Sequence, residues 1–145
     1  MFKSILIPTD GSELSDKAIS QGIALAKSVG AKVVGFCAIA PYHYVALEPE
    51  ILTDTVQVYE DDAKKRAVQY LGKIETAARA ADVSCECFYE MGDRPYDAII
   101  RAAEKSGCDL IAMASHGRRG LRGLLLGSET NLVLTHTKIP VLVFR

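Results

Sequence analysis

The chain has 145 residues, 49% of them apolar and 24% charged, with a formal net charge of -1. A chain this long buries roughly two thirds of the surface it would expose unfolded, so residues 1–145 are expected to form one domain without staples. Such a charge gives no general pull toward nucleic acid or a membrane surface, no apolar run nears the ~20 residues of a spanning helix, and Pro8 interrupts any signal-peptide core, so a cytoplasmic protein is expected, with no nucleic-acid partner and no membrane insertion.

The segment KSILIPTD (3–10) reads as a buried strand that ends at Asp10 and Gly11. A helix follows: Ser12 suits the N-cap, Glu13 and Asp16 suit the positive end of its dipole, Leu14, Ala18, Gly22, Leu25 and Val29 recur at helical spacing, and Gly30 can end it. AKVVGFCAIA (31–40) is a second buried strand, stopped by Pro41. PYHYVALEPEILT is irregular; its His43 is either a lid residue or part of a plain surface loop. The longest helix then carries Tyr59, Ala63, Ala67, Leu71, Ile74, Ala78 and Ala81 on one face.

VSCECFYE (83–90) has β-favouring residues, and Pro95 marks the first position of a helix through Ile99, Ala102 and Ala103 that ends near Gly107. CDLIAMAS (108–115) is a fourth strand, SETNLVLTH (128–136) a helix opened by Ser128, and IPVLVFR (139–145) a fifth strand. Strands alternating with helices imply right-handed βαβ units, hence an open, doubly wound, largely parallel sheet with helices on both faces. Cys37, Cys85, Cys87 and Cys108 lack metal-ligand spacing, and Cys85 and Cys87 share a strand face, where free thiols pack as small hydrophobes in a reducing compartment. No metal site is expected from them.

In such sheets ligands bind beyond the carboxyl ends of the strands where the winding reverses, which singles out Asp10, Ala38 to Ala40 and the loop from Ala114. That loop, ASHGRRGLRGLLLGS (114–128), carries glycines at 117, 120, 123 and 127 and arginines at 118, 119 and 122. It leads from a strand into a helix N-terminus, so backbone N–H groups and the positive dipole end meet at one spot, which favours phosphate. The glycines would allow positive φ and close approach, Ser128 could add a hydroxyl, and the arginines could add charge or be simply solvated. Neither a Walker lysine nor a Gly-x-Gly-x-x-Gly run is present, and Ser115 lacks a nucleophile-elbow context, which leaves a Ser115–His116 hydrolase a remote alternative. Asp10 could accept from a ribose or close a local Asx-turn, His116 could support the site or face solvent, and His136 suits a helix C-terminus.

The runs ILIPTDGSE, GDRPYDAII, DLIAMASHGRRGLRGLLLGSET and IPVLVFR, in this order, resemble the single-domain universal stress proteins over the full length of the chain. The resemblance implies a five-stranded parallel sheet of order 3-2-1-4-5, Rossmann-like in plan. That family's nucleotide-binding branch carries Gly-x2-Gly-x9-Gly-Ser/Thr, matched here by Ala114, Gly117, Gly127 and Ser128, with alanine at the first position. It further implies ATP, or AMP or ADP, as ligand, with magnesium accompanying the nucleotide: Asp10 at the ribose, Ala38 at the adenine through its backbone, Ala114 beside the ribose, and Gly117, Gly127, Ser128 and Glu129 at the phosphates. A stress-response regulator or sensor with at most slow hydrolysis follows, with no catalytic residue assigned; the alternative is a dimeric interaction protein that binds no nucleotide. The apolar last strand should lie at a sheet edge and pair in a homodimer, with Val141 and Val143 on one face and Leu142 and Phe144 on the other.

Overall fold

The structure is a computed structural model that describes residues 1–42, 53–118 and 126–145. Five strands, β1 (Ser4–Pro8), β2 (Lys32–Ile39), β3 (Cys85–Met91), β4 (Leu110–Ala114) and β5 (Val141–Phe144), alternate with four helices, α1 (Glu13–Val29), α2 (Thr53–Ala80), α3 (Pro95–Lys105) and α4 (Ser128–His136). All neighbouring strands are parallel, in the order β3-β2-β1-β4-β5. This is the open, doubly wound, Rossmann-like sheet expected above. His43 and most of the irregular stretch after β2, together with Arg119, Gly120, Arg122 and Gly123, lie outside the described residues.

β1 and β4 are buried at every position because helices cover both their faces, which is why they read as unbroken apolar runs. On one face α1 and α2 bury Ile19, Ile23, Leu71 and Ile74 against Ile5, Ile7 and Val33. On the other, α3 and α4 bury Ile99, Ala102 and Val133 against Leu6, Val34, Phe36 and Ile111. The α2 stripe falls where its spacing places it, with Ala63, Ala67, Leu71, Ile74 and Ala78 buried.

The α1 stripe is out of phase with the expectation. Its buried face is Ser15, Ala18, Ile19, Gly22, Ile23 and Ala26, whereas Val29 is 37% exposed and Leu14 and Leu25 are only half-buried. Ala18 and Gly22 belong to either reading, and the helix turns toward the isoleucines, which bury more apolar surface than its last turn could. Both termini match: Ser12 Oγ accepts from Ser15 N–H, and Gly30 closes the helix at φ 71°.

Candidate functional site

β1 lies between β2 and β4, so the chain winds outward from it in both directions and the reversal opens a crevice beyond its carboxyl end. β2 runs further than β1: the ladder between them ends at Pro8 opposite Phe36, and the Phe36 carbonyl accepts the Thr9 N–H at 2.8 Å. Two residues on, Ala38 turns its amide edge the same way, past the point where β1 has ended. Only its other neighbour, β3, continues alongside, with Ala38 opposite Glu90.

Asp10 follows β1 directly. Its Oδ1 accepts from Ser12 N–H at 2.9 Å and Ser15 Oγ–H at 2.8 Å, and its Oδ2 accepts from Arg118 N–H at 2.6 Å. The first of these is the Asx-turn; the last ties the β4–α4 loop to the β1–α1 turn. Burial pushes the Asp10 carboxyl up, but the bonds from Ser12, Ser15 and Arg118 outweigh it and hold it below its ordinary 3.8. Gly117 sits so close to this carboxylate that a Cβ there would overlap Asp10 Oδ2.

Ala114 ends β4 with 8% exposure, and its carbonyl accepts from the buried Thr130 hydroxyl at 2.9 Å, which docks α4 against the strand end. Gly127 is the N-cap of α4. Its N–H donates to the Ser115 carbonyl at 2.7 Å, and a Cβ on it would come within 3.2 Å of that oxygen and of His116 Cα. Neither Gly117 nor Gly127 has positive φ, in contrast to the expectation; close approach to Asp10 at Gly117 and to the Ser115–His116 backbone at Gly127, not a left-handed conformation, is what favours glycine at both.

Of the helix N-termini at this end of the sheet, those of α1, α3 and α4 are satisfied differently. Ser12 caps α1 with its own hydroxyl, while the N-terminus of α3 is served from a distance by Glu129 Oε2, which accepts from Tyr96 N–H at 2.9 Å. In α4 the first intrahelical bond runs from Asn131 N–H to the Gly127 carbonyl, and the capping residue has no side chain to offer the N–H groups of Ser128, Glu129 and Thr130. Those donors and the dipole behind them have the chemistry of an anion cradle, with Gly127 at its start. The structure thus brings Asp10, Ala114, Gly117, Gly127 and Ser128 to one end of the sheet, whereas the Glu129 carboxylate turns to α3.

Periodicity gave no hint of Tyr70. From the middle of α2 it packs on Gly11 and receives Arg118, whose guanidinium meets its hydroxyl and lies 5.4 Å from its ring centroid. Ser115 is 3% exposed and its Oγ shares a hydrogen bond with His116 Nδ1 at 3.0 Å, while His116 Nε2 is buried without a partner among the described residues. His136 stacks at a tilt on Tyr96 and places Nδ1 2.9 Å from the Leu132 carbonyl, in the last turn of α4 as expected. Among the described residues no three His, Cys, Asp or Glu side chains gather to hold a metal ion, and no helix is long and apolar enough to cross a membrane.

The model of the universal stress protein family matches residues 1–145. Universal stress protein MJ0531 of Methanocaldococcus jannaschii is 31% identical over 145 residues, covering all of this chain and 83% of that protein. The solved structure of MJ0577, a universal stress protein of the same organism, superposes with a TM-score of 0.83 at 27% identity and covers 99% of this chain and 95% of that one. A universal stress protein solved in complex with cAMP shares the fold, with a TM-score of 0.73 at 24% identity, over 99% of this chain and 97% of that chain.

Proposed function

Because the chain belongs to the universal stress protein family, we propose that it binds ATP in the crevice beyond β1 and β4 and acts as a nucleotide-dependent regulator or sensor of the stress response. The observation that carries this reading is the α4 N-terminus: of the starts of α1, α3 and α4 it alone receives no side chain among the described residues. Phosphate fits there, against the N–H groups of Ser128 and Glu129 and the Ser128 hydroxyl, with Gly117 and Gly127 keeping the approach clear of side chains. Asp10 uses three of about four lone-pair directions on its carboxylate, which leaves one for a ribose hydroxyl. The adenine would lie against the free amide edge of Ala38, and Ala114 beside the ribose. The fold neighbour solved in complex with cAMP supports an adenine nucleotide as the ligand.

Among the described residues, the two carboxylates nearest the α4 N-terminus are already engaged. Asp10 is tied to three donors and Glu129 to Tyr96, so an accompanying magnesium ion would rest on the phosphates rather than on protein carboxylates. At most slow hydrolysis belongs to this reading, supported by the burial of Ser115 and its hydrogen bond to His116. We further propose a homodimer joined along β5, which among the described residues is paired only with β4.

The second reading, an interaction protein that binds no nucleotide, draws on Ala114 at the first glycine position and on Arg118, which ties the loop to Asp10 and Tyr70. Calorimetric titration with ATP and with AMP decides between them. We expect saturable heat with ATP and an affinity at least about tenfold weaker, or ~1.4 kcal/mol, in Gly127→Val, whose side chain collides with the Ser115–His116 backbone. No heat from either nucleotide would leave the interaction protein, and equal binding by a folded Gly127→Val would place the site elsewhere.

A further inference from the structure

Cys85 and Cys87 lie one pleat apart on the face of β3 that packs toward α2, and their sulfurs are 3.7 Å apart, close enough for an S–H···S contact. Cys87 is opposite Gly35 of β2, and a Cβ at that position would stand 2.5 Å from Cys87 Sγ; the glycine makes the space the thiol occupies. Beside it runs an open groove of about 310 Å³ lined by Val68, Leu71, Glu75, Cys87, Phe88 and Tyr89. Both thiols are half-buried, whereas Cys37 and Cys108 are buried.

We propose that Cys85 and Cys87 form an oxidation site for hydroperoxides, in which Cys85 is the attacking thiol and Cys87 the resolving one. The Cys85 thiolate attacks one peroxide oxygen, the O–O bond breaks, and the other oxygen leaves as an alcohol or water once protonated, giving Cys85 sulfenic acid. The Cys87 thiol then attacks the Cys85 sulfur, the S–S bond forms, the S–O bond breaks, and water departs with the thiol proton. Two sulfurs supply the two electrons that the peroxide takes up. The Cα atoms of residues i and i+2 in a strand are about 6.6 Å apart, at the upper end of the range of about 4.4–6.8 Å spanned by disulfides. The Cβ atoms must close to about 4.5 Å, so β3 has to bend between the two cysteines. β3 is a sheet edge bound only to β2, so one side of it is free to pucker as the bond closes.

The geometry pairs the two thiols, and the direction of their shifts distinguishes them. The contact with Cys87 draws the Cys85 thiol below its ordinary 9.0, against burial and the nearby Glu75 and Glu86, while the same contact and burial raise Cys87. Burial pushes Cys37 up to about 11 and raises Cys108 as well, which leaves both as unreactive internal standards.

Hydrogen peroxide treatment followed by alkylation in denaturant is expected to leave two of the four cysteines unlabelled, mapped to a Cys85–Cys87 peptide and restored by dithiothreitol. In Cys87→Ser the sulfenic acid should persist as a dimedone adduct on Cys85, and Cys85→Ser should slow thiol loss at least about tenfold. Four alkylatable thiols after peroxide, a bond bridging two chains, or an adduct on Cys87 in place of Cys85 would overturn the proposal. The wild-type mass measurement stands even if a serine variant fails to fold.

Discussion

Asp10 accepts from Ser12, Ser15 and Arg118 with a single carboxylate, so its charge holds the β4–α4 loop in place as well as facing the crevice. Asp10→Asn keeps the shape but lets the amide nitrogen face a donor it cannot accept from. The expected loss is about 1–3 kcal/mol at neutral pH, toward the lower end because the group is partly exposed. The pH dependence has a definite sign. A carboxyl lowered in the folded state adds stability that is fully present above its unfolded value of 3.8 and is lost as pH falls through the folded value. Thermal unfolding of wild type and Asp10→Asn should therefore differ most above pH 5 and converge below 3.8. Asp109, which burial raises but the amides of Ser4 and Lys3 lower further, titrates in the same window in both proteins and cancels from the comparison.

Between elements, the decisive contact is the one from α4 to α3. Resemblance implies a phosphate contact at Glu129, as at its neighbours mostly through N–H groups, and its Oε2 serves Tyr96 N–H in the first turn of a neighbouring helix. Glu129→Ala should cost about 1 kcal/mol, read in denaturant unfolding, through loss of a charged cap, and should change ATP affinity less than about threefold, since only the residue's N–H faces the cradle. A tenfold loss of affinity would instead put its carboxylate in the site. This contact spans 33 residues of sequence, and the one from Arg118 to Tyr70 spans 48, which is why neither shows in a reading built on local periodicity. What periodicity does carry is the alternation of elements, the buried central strands and the face of α2. It misses the phase of α1, because an alternative stripe fits the same spacing and only packing against β1 and β4 selects Ser15, Ile19 and Ile23. The order of the strands is likewise set by packing between segments far apart in the chain, and resemblance, not pattern, supplied it. The site was legible as positions at strand ends; which donors are already spent was not.

The sheet as a whole has two edges, and they are protected unequally. β3 carries Glu86 and Glu90, which pair with Lys32 at 3.7 Å and Lys105 at 3.1 Å, so charge lines its flank. β5 reads Val-Leu-Val-Phe with no charge, and it packs one side chain, Val141, with the α3–α4 layer and another, Phe144, with the α1–α2 layer. A strand of that kind is a template for pairing, and a two-fold axis beside it would set two copies antiparallel and merge two sheets into one. Removing β5 would also strip β4 of its partner, so a surface substitution is the better probe. Leu142 and Tyr89 are each 37% exposed, one on each edge. Leu142→Lys should halve the mass seen by light scattering while shifting the unfolding temperature of the monomer by no more than about 4 °C, as a change near 1 kcal/mol would. Tyr89→Lys places the same charge on the opposite edge and should leave the dimer intact. If the two variants dissociate alike, or if wild type is a monomer at the concentrations used, pairing along β5 is wrong; the calorimetric result stands on its own, because the crevice is built within one chain.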